Sequence, residues 1–557
     1  MYLTIIEPIF HSMNAFINNN NDWWKTACIY QIYPRSFSDS NGDGVGDLNG
    51  ITSKVGYLKS LCVDAVWLSP CFPSRLYDGG YDVDDYMNID PRLGTLEDFD
   101  RMVDALHANG IRLYVDIVAN HTSIHHAWFE EALKAEPGSP ARERYIFRNG
   151  KGEHGELPPN DWPSHFGPEA WTRVVEPDGS LGQWYYHMFA PQQPDLNWQN
   201  LEVREHFKQV LRFWGDRGVD GFRVDVAHGM SKDLSEPFKS KPTISPMTDD
   251  DPIFDRDENH VIFREWRQIF NEYNPPLSAV AEANAEKPNR RILYAREDEL
   301  GQAFNFDLLK SSWDAEKMFD VIDVNVKLAH EYGTASTWVL SNHDKVRHVS
   351  RYALPNGTDY KLWLMSDGLD PAPDYTLGEA RAKAGTMLML ALPGSAYVYQ
   401  GEELGLREVA DLPHDSLQDP VWVNSGNKFK GRDGCRVPLP WDSSENFGFT
   451  SWKPHLPMPE WFEDYIIEKE DSNSDSFLNF YRSIIKLRRS LITSDMFEWL
   501  EGSSSGVLHF KRSQDWNVLT NMNSEPIDMP EHSVIYFTSG QIFDNMVPAN
   551  TTVWYKP

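Results

Sequence analysis

The chain has few cysteines and a shortage of positive charge, and each shortage excludes classes of protein. Its 557 residues include only 4 cysteines, too few for a disulfide scaffold and without the paired spacing of a zinc site. Lys and Arg number 52 against 83 Asp and Glu, which gives a formal net charge of -31. Because phosphate backbones and anionic lipids repel so acidic a body, we expect neither nucleic acid nor a membrane surface as a partner.

Long hydrophobic runs are also missing. The apolar start of the chain is interrupted by Glu7, Pro8 and His11 and has no basic segment, so it makes a poor signal peptide and no membrane span. We therefore expect a cytoplasmic protein whose cysteines are mostly free, buried thiols.

Short apolar runs that alternate with amphipathic stretches dominate the chain. Eight such runs are typical of successive βα units and predict an α/β fold, a closed (β/α)8 TIM barrel. The runs are Cys28–Pro34, Ala65–Pro70, Arg112–Val118, Gly221–Val226, Ser278–Ala283, Ala303–Leu308, Ser336–Asp344 and Gly394–Gln400.

The connections between these runs predict the domain organisation. About a hundred residues between the third and fourth runs are too many for a plain connection and indicate an inserted subdomain after strand 3. Short β-type runs near the end of the chain indicate a C-terminal antiparallel β domain. The predicted parts are an N-terminal extension (1–22), the catalytic barrel (23–121 and 194–491), the inserted subdomain (122–193) and the C-terminal domain (492–557).

The fourth run carries the most informative residues. It ends at Asp225, with Arg223 two residues earlier and on the same face of the strand. A carboxylate at the C-terminal end of a barrel strand, held ionised by a neighbouring guanidinium, is what a nucleophile needs. The alternative is an ion pair that only closes the end of the barrel.

Other runs also end in polar residues that could act with Asp225. The fifth run ends at Glu282 and the seventh at Asp344, and His121 follows the third. These ends converge on one face of a barrel, where repulsion raises the pKa of at least one carboxyl and keeps it protonated, as a general acid requires. A metal site is the competing use of such residues, but with three carboxylates at strand ends we expect catalysis instead.

Taken in order, the motifs resemble those of the α-amylase superfamily of glycoside hydrolases, in particular its α-glucosidase and oligo-1,6-glucosidase branch. The resemblance runs from about Trp23 to the end of the chain. The motifs that carry it are Gly221-Phe-Arg-Val-Asp225 (nucleophile), Ala281-Glu282-Ala283 (acid/base), Ser341-Asn-His-Asp344 (third carboxylate) and Gln193-Pro-Asp-Leu-Asn197 (the branch signature).

The resemblance implies a retaining, exo-acting α-glucosidase without an organic cofactor. It implies that Asp225 is the nucleophile, Glu282 the acid/base and Asp344 the residue that stabilises the transition state. The substrate-binding residues that it implies are Asp78, Tyr81, His121, Phe166, Phe189, Arg223, His343, Arg432 and Arg436. The chain departs from the family pattern at Val437 and Leu439, where Thr and Met are usual.

A loop after the first run has the spacing of a cation-binding loop. Oxygen-bearing residues alternate there with glycines, as in an EF-hand. The predicted ligands of a structural Ca²⁺ or Mg²⁺ are Asp39, Asn41, Asp43, the carbonyl of Val45, and Asp47. The alternative is a loop of Asx turns without metal.

The residues directly after the predicted nucleophile bear on the preferred substrate. In the branch that the chain resembles, a valine directly after the nucleophile, here Val226, accompanies tolerance of α-1,6 links. The Ala227-His228-Gly229 that follows resembles instead the α-glucosidases and sucrose-cleaving relatives, so the resemblance implies that maltose and sucrose are cleaved fastest, isomaltose more slowly and starch slowest. A transglycosylating relative, such as a sucrose isomerase or a trehalose-forming mutase, shares every catalytic residue and stays open. A non-catalytic transporter heavy chain predicts a membrane helix and eroded acids, which this sequence does not show. We expect a monomer or a homodimer.

Overall fold

The computed structural model describes residues 21–167, 169–501, 503 and 506–557. Residues 1–20 of the predicted N-terminal extension lie outside the described residues. Eight parallel strands close into a barrel in chain order, with the last strand paired to the first, so the predicted barrel is confirmed. The strands are β1 (Cys28–Ile32), β2 (Ala65–Leu68), β3 (Arg112–Ile117), β4 (Gly221–Val224), β5 (Ser278–Ala281), β6 (Gly301–Asn305), β7 (Thr337–Val339) and β8 (Ser395–Tyr399).

The barrel strands are buried on both faces, which is why they read as apolar runs without alternation. All their residues are buried except Arg112 at the start of β3. The register of β3 on β4 pairs Asp116 with Arg223, and that of β4 on β5 pairs Val224 with Ala281. The polar residues at the ends of β3, β4 and β5 therefore lie side by side.

Amphipathic helices surround the barrel. In Leu201–Asp216, for example, the side chains of Val203, Phe207, Val210 and Trp214 recur at helical spacing and are buried. The longer helices are Leu96–Ala108, Leu201–Asp216, Asp257–Phe270, Ala315–Tyr332, Tyr375–Ala391 and Phe477–Leu491. The shorter ones are Leu48–Ser53, Val55–Ser60, Ala127–Lys134, Pro140–Glu143, Pro288–Arg291, Phe306–Lys310, His348–Ala353, Tyr360–Met365, Pro420–Asn424 and Ile467–Ser472.

Two antiparallel regions accompany the barrel. Between β3 and β4 lies a three-stranded sheet formed by Phe147–Arg148, Leu181–Tyr186 and Trp171–Val175, in that spatial order. After the last helix, a five-stranded sheet contains, in spatial order, Glu498–Trp499, Val507–Ser513, Trp516–Asn521, Thr551–Lys556 and Val534–Thr538. A two-stranded sheet pairs Ile527–Asp528 with Met546–Val547. The predicted domain boundaries themselves stay predictions.

All eight strands end before their apolar runs do, and the difference is largest for β6 and β7. The sixth run continues to Leu308, but β6 stops at Asn305, whose side chain accepts a hydrogen bond from the N–H of Asp307 at 3.0 Å and begins the helix Phe306–Lys310. The seventh run continues to Asp344, but β7 ends at Val339. Burial does not mark these ends, because most of the residues that follow each strand are buried as well.

Candidate active site

Arg223, near the end of β4, is the centre of a buried cluster of carboxyl groups. Its Nη1 contacts Asp116 Oδ1 at 2.9 Å and Asp225 Oδ1 at 2.5 Å, and its Nη2 contacts Glu282 Oε2 at 2.8 Å. The guanidinium is 2% exposed, so water screens these contacts little. Asp225 and Glu282 therefore share one cation and lie next to each other.

Crowding of the carboxyls changes their acidity. Burial raises the pKa of Asp225 well above its usual range, and Glu282 and Asp116 add to the effect while Arg223 opposes it. Burial also raises the pKa of Asp116 to about 6 against the pull of Arg223. The rise therefore falls on Asp225, which the sequence analysis expected Arg223 to hold ionised, because burial outweighs the guanidinium. One guanidinium cannot compensate three carboxylates, so Asp225 and Asp116 bind protons more readily than exposed aspartates do.

Asp344 has a different environment from Asp225. Its Oδ1 accepts hydrogen bonds from Arg432 Nη1 at 2.9 Å and from Arg436 Nη2 at 3.0 Å. Burial alone would raise the pKa of Asp344, but His343, Arg432 and Arg436 hold it well below its usual range. Arg432 also reaches Asp78 Oδ1 at 2.7 Å through Nη2, so it joins two carboxylates across the pocket.

A chain of hydrogen bonds connects β1 to the carboxyl cluster through His343. Gln31 Nε2 lies 2.7 Å from His343 Nδ1, and His343 Nε2 lies 2.7 Å from Tyr81 Oη, which donates to Asp116 Oδ2 at 3.1 Å. Because Gln31 donates to Nδ1, the network assigns the imidazole proton to Nε2. Burial lowers the pKa of His343 to about 3, so the ring is neutral. Sequence reasoning missed Gln31, although a glutamine inside an apolar strand was an available signal.

His121 and two phenylalanines form another wall of the pocket. His121 Nε2 lies 2.9 Å from the carbonyl oxygen of Tyr81 and 3.1 Å from Gln193 Nε2. Burial lowers the pKa of His121 as well. The centre of the Phe189 ring lies 5.2 Å from the centre of the His121 ring and 5.5 Å from the centre of the Phe166 ring. The structure thus brings together all twelve residues that the sequence predicted as catalytic or substrate-binding; their roles stay predictions.

The backbone just after Asp225 is strained. Val226 has φ 45° and ψ 40°, in the left-handed region that a β-branched residue rarely adopts. In this conformation its N–H donates to Glu282 Oε2 at 3.1 Å. The turn therefore fixes the position of Glu282 relative to Asp225, which no sequence pattern could have shown.

A buried lysine fastens the loop after Asp225 to the rest of the site. Lys232 Nζ lies 2.6 Å from Asp195 Oδ2 and 2.6 Å from Asn120 Oδ1. Asn120 Nδ2 in turn lies 3.2 Å from His121 Nδ1. Sequence reasoning missed Lys232 because a lone lysine is usually exposed.

The predicted cation loop is folded by its own side chains. Asp39 Oδ1 accepts from the N–H of Asn41 at 3.0 Å, and Asp43 Oδ1 accepts from the N–H of Val45 at 2.9 Å. Ser40 donates to both oxygens of Asp47, from its N–H at 2.8 Å and its hydroxyl at 2.7 Å. Carboxylate oxygens have further acceptor sites, so these hydrogen bonds leave room for a cation ligand at each of them. Across the described parts of the chain, however, no three His, Cys, Asp or Glu side chains are gathered as a metal site.

Two observations concern the chain as a whole. Among the helices within the described residues, none is long and apolar enough to cross a membrane. The cysteines Cys28, Cys62, Cys71 and Cys435 are all free, and three of them are buried.

Comparisons with known proteins agree with this geometry. A model of the alpha-amylase catalytic domain matches residues 31–495. A probable alpha-glucosidase of Rhizobium meliloti is 35% identical over 533 residues, which cover 92% of this chain and 91% of the relative. An oligo-1,6-glucosidase of Heyndrickxia coagulans is 36% identical over 513 residues, covering 86% of this chain and 88% of the relative. A crystal structure of an isomaltulose synthase variant from Erwinia rhapontici with sucrose has a TM-score of 0.83 and 30% identity, and the match covers 96% of this chain and 99% of that one. With such coverage and such a site, the chain belongs to the alpha-amylase family of glycoside hydrolases.

Proposed function

We propose that the protein is a retaining α-glucosidase that releases glucose from the non-reducing end of short α-glucosides. The observation that carries this proposal is the contact of Asp225 and Glu282 with neighbouring nitrogens of Arg223. Retaining enzymes hold their two carboxyls about 5–5.5 Å apart, whereas inverting enzymes need about 6.5–9.5 Å to admit a water molecule. Two carboxyls that contact the same guanidinium lie close together, which agrees with the shorter separation of a retaining enzyme.

The reaction would proceed in two displacements. Asp225 attacks the anomeric carbon while Glu282 gives its proton to the departing glycosidic oxygen, which forms a β-glucosyl ester and the free aglycone. Glu282, now ionised, takes a proton from water, and the resulting hydroxide equivalent displaces Asp225 and restores both carboxyls. Asp225 Oδ1 lies 2.5 Å from Arg223 Nη1, so the guanidinium stabilises the carboxylate form of Asp225 that attacks the sugar.

Other residues would stabilise the charge that develops on the sugar. The glucosyl unit becomes oxocarbenium-like in the transition state, so the carboxylate of Asp344, ionised by its two arginines, lowers its energy. Neutral His121 and His343 add no positive charge beside the developing oxocarbenium ion. We expect the ion pair of Arg432 with Asp78 to bound the glucosyl site on one side, which would favour attack at chain ends rather than within a polymer.

The proposal predicts a graded substrate preference. Maltose and sucrose should be cleaved faster than isomaltose, and soluble starch should be slowest, because packing against groups such as Phe166 and Phe189 is worth about 1–3 kcal/mol per misplaced group. Measuring kcat/KM for the four substrates checks this order. Faster cleavage of starch than of maltose would contradict a closed pocket.

Transglycosylation is the second candidate function. The similarity to an isomaltulose synthase structure supports it, since sugar instead of water would then accept the glucosyl unit from Asp225. Chromatography of the products from sucrose separates the two candidates. Glucose and fructose as main products support hydrolysis, whereas an isomer of sucrose as main product supports glucosyl transfer.

We also propose that the loop from Asp39 to Asp47 binds Ca²⁺ or Mg²⁺ in a structural role. Calcium at about 100 times its Kd would add about 2.7 kcal/mol to the free energy of unfolding. We therefore expect calcium to raise the Tm of chelator-treated protein by a few degrees, and substitution Asp43→Asn to reduce this rise because Asp43 is an exposed loop ligand. If neither calcium nor magnesium shifts the melting curve, the loop binds no ion.

A cytoplasmic location is proposed because the four cysteines are free thiols. The predicted monomer or homodimer stays a prediction that sedimentation can test.

A further inference from the structure

The side-chain amide of Asn120 lies between two buried charges, next to His121 in the wall of the pocket. Its Oδ1 lies 2.6 Å from Lys232 Nζ, and its Nδ2 lies 3.0 Å from Asp195 Oδ2. An ammonium group only donates hydrogen bonds and an ionised carboxylate only accepts them, so the amide has a single orientation. The side chains of Lys232 and Asp195 are 1% and 0% exposed, so water competes little for these contacts.

The orientation of Asn120 determines which nitrogen of His121 carries a proton. Asn120 Nδ2 also lies 3.2 Å from His121 Nδ1, and because Nδ2 is a donor, Nδ1 must accept. The other ring nitrogen, Nε2, lies 2.9 Å from the carbonyl oxygen of Tyr81, which only accepts. Gln193 Nε2 is also near Nε2, at 3.1 Å, but its two protons have acceptors in the Tyr81 carbonyl at 3.3 Å and Asp78 Oδ2 at 3.4 Å. Both sides of the ring therefore assign one proton to Nε2 and none to Nδ1.

Carboxylates near His121 would otherwise favour its protonation. Burial lowers the pKa of His121, but Asp195 and Asp78 raise it, and the ammonium group of Lys232 lowers it again. A donor on Asn120 that faces Nδ1 opposes the second proton that these carboxylates favour. The amide is held in this orientation by contacts of Lys232 and Asp195 with its two ends.

We propose that Lys232 is a positioning residue for the glucosidase reaction: by fixing the amide of Asn120, it keeps His121 neutral with its proton on Nε2. The catalytic part of this inference rests on the proposed α-glucosidase function. An imidazolium ring in this wall would oppose the positive charge that develops on the glucosyl unit. A proton on Nδ1 in place of Nε2 would leave the Nε2 lone pair facing the Tyr81 carbonyl, and the ring would have to turn away.

A double variant tests the proposal because it should turn the amide of Asn120 over without leaving a buried charge. Lys232→Met/Asp195→Asn removes both charges and nearly keeps both side-chain volumes. Asp195 Oδ1 accepts from the N–H of Met188 at 2.7 Å, so the introduced amide should keep its oxygen there and place its nitrogen at the position of Oδ2. That nitrogen donates, so Asn120 must present its oxygen to it and to His121 Nδ1, which then gains a proton.

Nuclear magnetic resonance of protein labelled in its histidine nitrogens locates the proton, because protonated and unprotonated ring nitrogens have different chemical shifts. His121→Gln identifies the signals of His121 by their loss. We expect Nδ1 to be unprotonated in the unmodified protein and protonated in the double variant. Lys241→Met/Asp251→Asn is the matched control: it removes another buried ion pair, 2.7 Å long, and should leave the His121 signals unchanged.

Kinetics measure what the position of this proton contributes to catalysis. In the double variant, kcat/KM should fall about threefold to tenfold, the effect of one hydrogen bond, and by the same factor for maltose and sucrose because both carry the glucosyl unit. A protonated Nδ1 in the unmodified protein, no change in the double variant, or the same change in the control would overturn the proposal. An unchanged kcat/KM with Nδ1 protonated would overturn its catalytic part. Lack of activity of the unmodified protein on every α-glucoside would instead count against the proposed function, and the resonance spectra would still decide whether Lys232 positions the proton of His121.

Discussion

Asp225→Asn is expected to reduce hydrolysis of maltose to less than about a thousandth of the original rate while the protein stays folded. The amide is nearly the same size as the carboxylate but cannot form the glucosyl ester. A thousandfold loss corresponds to about 4 kcal/mol in the activation barrier, which is at the low end for removal of a covalent nucleophile. Steady-state rates at saturating maltose measure the loss.

Two controls separate chemistry from folding in this experiment. Asp257→Asn changes an exposed aspartate at the start of the helix Asp257–Phe270 and should leave the rate unchanged. The Tm of Asp225→Asn should not fall, because the substitution removes one of three carboxyls that compete for Arg223. A folded Asp225→Asn protein with a tenth of the original activity would show that Asp225 is not the nucleophile.

Glu282→Gln should impair the cleavage of natural sugars far more than that of an activated aryl α-glucoside. A sugar alkoxide needs a proton to depart, and loss of a general acid costs about 10²–10⁴ in rate. A nitrophenolate departs without a proton, so the first displacement at Asp225 stays fast on that substrate. The ratio of kcat/KM for the aryl glucoside to that for maltose should therefore rise by at least about a hundredfold.

The pattern of losses distinguishes a catalytic Glu282 from a structural one. Glu282 accepts a hydrogen bond from the strained Val226 N–H, and Gln can still accept it, so geometry should survive the substitution. Glu316→Gln, an exposed change on the helix Ala315–Tyr332, is the matched control. Equal losses on maltose and on the aryl glucoside would indicate that Glu282 only supports the fold.

The barrel could be predicted from the sequence because each of its strands is a short, continuous apolar segment of the chain. Each run that is buried on both faces leaves a continuous apolar signal, and carboxylates at strand ends converge in any closed parallel barrel. Asp225, Glu282 and Asp344 could therefore be placed in one pocket before any coordinates. The ends of β6 and β7 could not be predicted, because they depend on the helix cap at Asn305 and on buried loop residues.

What the sequence could not predict is set by contacts between distant segments. Arg223 beside Asp225 was visible as a same-face pair, but its reach to Asp116 and Glu282 depends on the register of three strands. The ion pair of Lys232 with Asp195 joins two loops that are separate in the chain. Such pairs have no local pattern, since each residue alone is typical of an exposed surface.

The central claim is that Asp225 forms a covalent bond with glucose, and mass spectrometry of the Glu282→Gln variant tests it most directly. A glucosyl donor with an activated leaving group should load the nucleophile, and without Glu282 as base the ester should persist long enough to be digested and sequenced. The account predicts a mass gain of one glucosyl residue on the peptide that contains Asp225. Rapid turnover of the donor with no labelled peptide, or a label on a different carboxylate, would contradict it.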